Sequence, residues 1–87
     1  MTVTNRLGLH ARAAARLVRT ASQFKSNIKL ARTDGSANAD AKSILSVLLL
    51  AAARGTELLL TAEGADERAA LDAVCELFAQ KFGEDKA

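Results

Sequence analysis

Two patterns meet in residues 2–22, TVTNRLGLHARAAARLVRTAS. The first six of these residues suit a short strand, and Gly8 then interrupts them. After Gly8, apolar residues recur at helical spacing while arginines occupy the other faces, which predicts an amphipathic helix. We place its start at His10 or Ala11 and its end at Ser22, so the fold begins with a strand that turns sharply into a helix.

A hairpin and a second helix are predicted next. Residues 27–32, NIKLAR, alternate between polar and apolar side chains as a half-buried strand does. The Asp-Gly pair at 34–35 is a strong turn signal, and residues 36–40, SANAD, return as a weak second strand. Ser43 then caps a helix with the sequence SILSVLLLAAAR, which Gly55 ends.

One more strand and one more helix complete the pattern. Residues 56–62, TELLLTA, form the strand, and Gly64 ends it. Asp66 and Glu67 place acidic charge in the first turn of the last helix, where the helix dipole favours it. We expect the residues after Gly83 to be frayed. The predicted buried stripe of the last helix contains Leu71, Val74, Phe78 and Phe82.

The predicted element order is β-α-β-β-α-β-α, within one domain that spans residues 1–87. Each helix has a face to bury and each short strand has one apolar side. Such elements pack as an antiparallel sheet with the helices on one side, because each apolar face then covers another. The sequence therefore predicts an α+β fold.

Composition excludes several classes of function. The chain has 87 residues, a net charge of +2 and 3% aromatic residues. So few aromatic residues argue against a base-stacking platform, and the scattered charge gives no reason to expect nucleic-acid binding. The one cysteine, Cys75, excludes an internal disulfide and a multi-cysteine metal site, and we expect it in the core.

We expect neither a targeting segment nor a membrane segment. Its start, MTVTNRLGLH, lacks the charged residues and long apolar run that are typical of a signal peptide. The run SILSVLLLAAA has about eleven residues, whereas a membrane span needs about twenty. We expect a cytoplasmic monomer without membrane insertion.

His10, the one histidine of the chain, lies where the first helix is predicted to start. The N–H groups and the positive dipole end of a first turn suit a phosphoryl group, and the Arg12 guanidinium offers further donors. Gly8 lets the backbone come close and turn into the helix. One histidine without cysteines or paired carboxylates nearby does not make a metal site. From these residues alone, a histidine that merely caps the helix explains the pattern equally well.

Residues 8–14, GLHARAA, resemble the active-site signature of HPr, the histidine phosphocarrier family of the bacterial phosphotransferase system. A second block, AKSILSV at 41–47, resembles the regulatory serine region of that family. The segments RGTE at 54–57 and EGADE at 63–67 also match in kind and order. The resemblance covers essentially the whole chain.

The resemblance implies an open-faced β-sandwich, with a four-stranded antiparallel sheet in the order 1-4-2-3 and three helices on one face. It implies that enzyme I, charged from phosphoenolpyruvate, phosphorylates His10 on Nδ1. Arg12 would steady the phosphoryl group, Gly8 and Ala11 would support it at the helix start, and an EIIA-type domain would accept it in sugar uptake. The chain would be a carrier without a cofactor rather than an enzyme.

An alternative function stays open within the same resemblance. In that case the chain is a regulatory interaction module of a nitrogen-type or transport-less phosphotransferase system, controlled by phosphorylation of His10 and Ser43. In relatives the serine that matches Ser43 is phosphorylated by an HPr serine kinase/phosphorylase. Helix capping alone also explains Ser43.

The second helix is too apolar for one buried stripe. We expect Ile44, Leu45 and Leu48 to face water and to form the partner-docking patch of the family, the alternative being that the helix is buried all round. Arg16 and Arg19 would meet acidic partner surfaces or simply form a solvated helix face.

Two features depart from the family pattern. Ala13 stands where most relatives have proline. Alanine keeps the helix and restores the backbone N–H donor that proline lacks. The segment between the two main motifs is about two residues longer than usual. We place the extra residues in the hairpin at 34–35, away from the site.

Overall fold

The computed structural model describes residues 1–83. The predicted fraying after Gly83 lies outside these residues. The helices and strands are, in chain order, α1 (Ala11–Ala21), β1 (Asn27–Arg32), β2 (Asn38–Asp40), α2 (Ile44–Leu49), β3 (Leu58–Glu63) and α3 (Glu67–Ala79), and a 3₁₀ turn follows at Lys81–Gly83. Helix α1 thus agrees with its predicted bounds to within one residue.

The strands form one antiparallel sheet in the order β2-β1-β3. Within residues 1–83 this sheet has three strands, so the predicted four-stranded sheet is not confirmed. The N-terminal segment lies beside β3, where Val3 N–H donates to the Thr56 carbonyl (2.9 Å), but it makes only one bridge, Thr2 to Glu57. Residues 5–8 leave the sheet because they form a turn, in which Gly8 N–H donates to the Asn5 carbonyl (3.1 Å).

One face of the sheet carries the core. Side chains alternate along β1 and β3, so that Ile28, Leu30 and Leu58 are buried while Lys29 and Thr61 face solvent. Helix α3 packs on β1 and β3, α1 packs on α3, and α2 packs on α1 and β2. The helices therefore cover one side and leave the other open, which confirms the α+β class.

Helix α2 is shorter than predicted. It ends at Leu49 rather than near Gly55, because Ala51 adopts a left-handed backbone conformation with φ 53°. The chain then runs under the start of α1, where the Ala52 carbonyl accepts the N–H of Leu9 (2.9 Å). This non-local contact ends the helix although the alanines that follow favour helix locally.

Helix α3 buries Ala70, Val74 and Phe78. Leu71 is only partly buried. Phe82 is buried beyond the end of the helix, where its ring meets the Phe78 ring edge-on with 4.8 Å between the ring centroids. The prediction that Cys75 lies in the core was wrong, because it is exposed. It follows the buried Val74 by one residue, which turns its side chain about 100° around the helix and away from the core.

The Asp66 side chain joins the start of α3 to the start of β1. Its carboxylate accepts the N–H groups of Lys25 and Ser26, each at 2.9 Å, and the Ser26 hydroxyl. The hydrogen bond from the Ser26 hydroxyl, followed by that from the Lys25 N–H, lowers the pKa of Asp66 to about 2. Asp66 therefore links the start of α3 to the start of β1, rather than only adding negative charge to the first turn of α3 as predicted.

We predict that Asp66→Asn lowers the urea midpoint of unfolding near neutral pH, because an amide accepts hydrogen bonds more weakly than a carboxylate. Folding lowers the pKa of Asp66 from 3.8 to about 2. The stabilisation by the Asp66 carboxylate is therefore present above pH 3.8 and is lost as the pH falls through about 2. Urea titrations of both proteins across this range measure the difference.

The matched control is Asp72→Asn, which removes an exposed carboxylate from the same helix and should leave the midpoint unchanged. Equal midpoints for the native chain and Asp66→Asn near neutral pH would contradict the linking role of Asp66.

Candidate functional site

His10 is the N-cap of α1. Its ring is half-buried, and Nδ1 accepts the backbone N–H of Arg12 at 3.3 Å. Its carbonyl accepts the N–H of Ala14 at 2.8 Å, which is the first bond of the helix. A ring nitrogen that accepts a hydrogen bond carries a lone pair, so the neutral ring holds its proton on Nε2. Nδ1 therefore points toward the backbone donors of the helix start.

The backbone before His10 is held by a close contact with the segment after α2. Leu9 is buried and donates its N–H to the Ala52 carbonyl at 2.9 Å. Gly8 has φ +67°, and a Cβ there would lie 2.7 Å from the same carbonyl oxygen, so only glycine fits. The Asn5 side-chain amide donates to the Gly8 carbonyl at 2.7 Å. This confirms the predicted role of Gly8 in the turn into the helix.

The first turn of α1 carries no acidic residue, which suits a bound anion. Ala11 and Arg12 are exposed in this turn, next to His10. Ala13 is fully buried and keeps its backbone N–H in the first turn of α1. The arrangement thus combines an imidazole ring with a helix start, and an exposed arginine follows two residues later.

Helix α2 presents four apolar side chains to solvent. Val47 is its one buried residue, whereas Ile44, Leu45, Leu48 and Leu49 are 44%, 64%, 38% and 72% exposed. We call these four residues the leucine face. Sequence reasoning found three of them and missed Leu49, which faces water because the helix contacts its neighbours along one narrow side.

The two arginines predicted for docking lie in different settings. Arg19 is exposed in the last turn of α1. Arg16 is half-buried, and its guanidinium donates to the Phe82 carbonyl. Arg16 therefore ties α1 to the turn after α3, a structural role that the sequence did not reveal.

Ser43 is the N-cap of α2, as predicted. Its Oγ accepts the N–H of Ser46 at 3.3 Å, and its own N–H donates to the Asp40 carbonyl at 3.0 Å. Ser46 Oγ accepts the N–H of Asp40 at 3.0 Å. The start of α2 is thereby fixed to the end of β2.

Sequence reasoning missed Asn5 and Ala52 as parts of the site. An asparagine three residues before a glycine is a turn signal that points to Asn5. Ala52 carries no local signal, because its contribution is a backbone carbonyl.

Comparison with known proteins identifies the family. The chain matches the family model PTS-HPr, described as "PTS HPr component phosphorylation site", over residues 1–80. The chain belongs to the HPr family. It is 51% identical to phosphocarrier protein HPr of Xylella fastidiosa over 85 residues, which cover 98% of this chain and 93% of that protein. It is 43% identical to phosphocarrier protein NPr of Shewanella violacea, with coverage of 97% and 90%.

Solved structures agree with this assignment. HPr-C-His from Thermoanaerobacter tengcongensis matches with a TM-score of 0.91 and 40% identity, over 99% of this chain and 94% of that one. The fold is thus that of the HPr family, and the protein is a phosphocarrier of the phosphotransferase system, a carrier rather than an enzyme. The resemblance stated from the sequence is confirmed.

No helix within residues 1–83 is long and apolar enough to cross a bilayer. Over the same residues, no group of three or more His, Cys, Asp or Glu is arranged to hold a metal ion.

We predict that Gly8→Ala destabilises the fold more than Gly35→Ala does. Both glycines have positive φ, +67° and +79°, which for alanine costs about 1–2 kcal/mol. A Cβ at Gly35 meets nothing within 4 Å, whereas one at Gly8 overlaps the Ala52 carbonyl. Urea denaturation of both variants should therefore show a larger loss in the free energy of unfolding for Gly8→Ala, and equal losses would mean that the close contact contributes nothing.

Proposed function

We propose that His10 carries the phosphoryl group on Nδ1, in a relay from enzyme I to an EIIA-type domain that serves sugar uptake. The observation that carries this proposal is the contact between Nδ1 and the Arg12 N–H at the start of α1. It aims the nucleophile at a set of donors that suit an anion.

Transfer needs no group beyond those at the site. The Nδ1 lone pair attacks phosphorus, the N–P bond forms, and the bond from phosphorus to the donor breaks with its electrons returning to the donor. Nε2 keeps its proton throughout. The Arg12 N–H, which donates to Nδ1 in the empty carrier, then donates to a phosphoryl oxygen, and the Arg12 guanidinium adds a charged donor.

The strength of this site suits a carrier. A helix start stabilises an anion by about 0.3–1 kcal/mol when it is exposed to solvent. That is enough to orient the phosphoryl group and too little to trap it. The group can therefore pass on to the next protein.

The leucine face is the proposed docking surface for both partners. Its exposed area is apolar, while Arg19 adds positive charge on the neighbouring helix. This pattern fits a partner with an apolar centre and an acidic rim. Of the two predicted arginines, we assign docking to Arg19, because Arg16 is engaged with the Phe82 carbonyl.

We predict that enzyme I and phosphoenolpyruvate add one acid-labile phosphoryl group to the native protein and none to His10→Asn. Asparagine is a good N-cap, so this variant keeps the helix start and loses only the nucleophile. Intact mass measures the gain, and ³¹P NMR of the product distinguishes Nδ1 from Nε2. Absence of any gain on the folded native protein, with an enzyme I active on another carrier, would overturn the proposal.

Ser43 is the proposed regulatory phosphorylation site, for an HPr serine kinase/phosphorylase. Its side chain lies at the start of the helix that carries the leucine face. A phosphate there keeps the N-cap contact through its oxygens and adds about two negative charges beside the docking surface. Such charge repels an acidic partner rim and slows docking.

We predict that Ser43→Asp lowers kcat/KM for phosphorylation by enzyme I about tenfold, because like charges then meet at the interface. Ser43→Asn is the matched control, since both residues cap a helix and only aspartate is charged. The control should stay within about twofold of the native value. A fall of the same size in both variants would assign Ser43 to capping alone.

A further inference from the structure

Arg32, the last residue of β1, reaches the end of α2. Its Nη1 donates to the Leu50 carbonyl at 3.2 Å and to the Ala51 carbonyl at 3.3 Å. Its Nε lies 3.7 Å from a carboxylate oxygen of Asp34 in the hairpin. The guanidinium group is thus held on two sides, and Arg32 is half-buried.

The end of α2 needs such a donor. Leu50 is the C-cap of α2 and Ala51 follows it, so their carbonyls lie at the negative end of the helix and have no partner within it. Helix α2 has no basic residue in its last turn, and Ala51 leaves it in a left-handed conformation that alanine adopts at a cost. A guanidinium that bonds two successive carbonyls holds this turn in place.

The same turn supports the phosphorylation site. Ala52, the residue after the two carbonyls, accepts the Leu9 N–H, and Leu9 immediately precedes His10. Residues 50–52 are therefore hydrogen-bonded to Arg32 on one side and to Leu9, in the loop before α1, on the other. A shift of the turn moves Leu9, and with it the His10 ring relative to the Arg12 N–H.

From these contacts we propose that Arg32 is a positioning residue for phosphoryl transfer: it holds the 50–52 turn against Leu9 and thereby sets the orientation of His10. The proposal rests on His10 as the phosphorylated residue. It also revises the expectation that the hairpin lies away from the site, since Asp34 in that hairpin contacts Arg32.

The kinetic signature separates this role from a role in docking. The leucine face lies on α2 as well, so a loss of docking raises KM for this protein as the substrate of enzyme I. A misplaced His10 ring lowers kcat instead, because the reacting nitrogen no longer lies in line with the phosphorus. The two effects are read from the same assay.

The test uses Arg32→Met, with Arg54→Met as the matched control. Arg54 is an exposed arginine that lines the same open pocket as Arg32, so both variants lose one positive charge at one place. For Arg32→Met we expect kcat to fall about tenfold with KM within about twofold of native. We also expect faster hydrogen exchange at the Leu9 amide and a changed balance of the two neutral His10 tautomers in ¹⁵N NMR. Arg54→Met should match the native protein in each measurement.

Arg32→Lys is a second variant that tests the proposal. Lysine keeps the charge and can bond the end of a helix, but it lacks the planar fork, so its kcat should lie between those of Arg32→Met and the native protein. If Arg32→Met does not fold, the lysine variant carries the test, and a native kcat with native Leu9 exchange would then overturn the proposal.

The experiments distinguish a failure of the proposed carrier function from a failure of the positioning role of Arg32. A native protein that gains no phosphoryl group on His10 overturns the proposed function. A native protein that is phosphorylated normally, with an Arg32→Met variant that shows the same kcat or only a raised KM, overturns the positioning role and leaves the carrier function intact.

Discussion

The hydrogen bond from the Leu9 N–H to the Ala52 carbonyl, at 2.9 Å, is the constraint on which the site depends. It joins the loop before α1 to the segment after α2, two stretches far apart in the chain. To make it, Gly8 takes a positive φ against the Ala52 carbonyl, and Ala51 leaves the helical conformation. The positive φ at residue 8 requires glycine, and the left-handed conformation of Ala51 has a conformational cost for an L-residue. The chain accepts them because they place His10 at the start of α1 with its ring on the helix donors.

The two proposed phosphorylation sites share one design. His10 and Ser43 each cap a helix by accepting a backbone N–H, from Arg12 and from Ser46 respectively. A phosphoryl oxygen accepts the same kind of bond, so phosphorylation exchanges one acceptor for another and leaves the helix start satisfied. The difference lies in the atom that reacts. A neutral imidazole forms a labile N–P bond suited to transfer, whereas a hydroxyl forms a stable ester suited to a lasting signal.

Local patterns predicted the parts of the structure that local physics determines. Helical spacing located α1 and α3, alternation located β1, and capping preference located Ser43. The errors arose at a local turn and where a distant segment decides. Residues 2–7 read as one strand, but the Asn5–Gly8 turn takes the second half of them out of the sheet. The alanines after α2 read as helix, but the carbonyl of Ala52 accepts the N–H of the distant Leu9. The contacts of Arg32 carry no sequence signal at all, since an arginine at the end of a strand reads as solvated charge.

The docking role that we propose for the leucine face limits the stability of the fold. A chain of 87 residues has a modest core, so leaving four large apolar side chains in water forgoes stabilisation that their burial would supply. In the core, Ala13, Ala14 and Ala70 are fully buried, and their small side chains let the helices approach closely. A larger apolar patch would hold a partner too long for a carrier that must leave one protein and meet another. In the function that we propose, a docking patch of one short helix, with His10 presented by the helix that packs against it, keeps docking and release in balance.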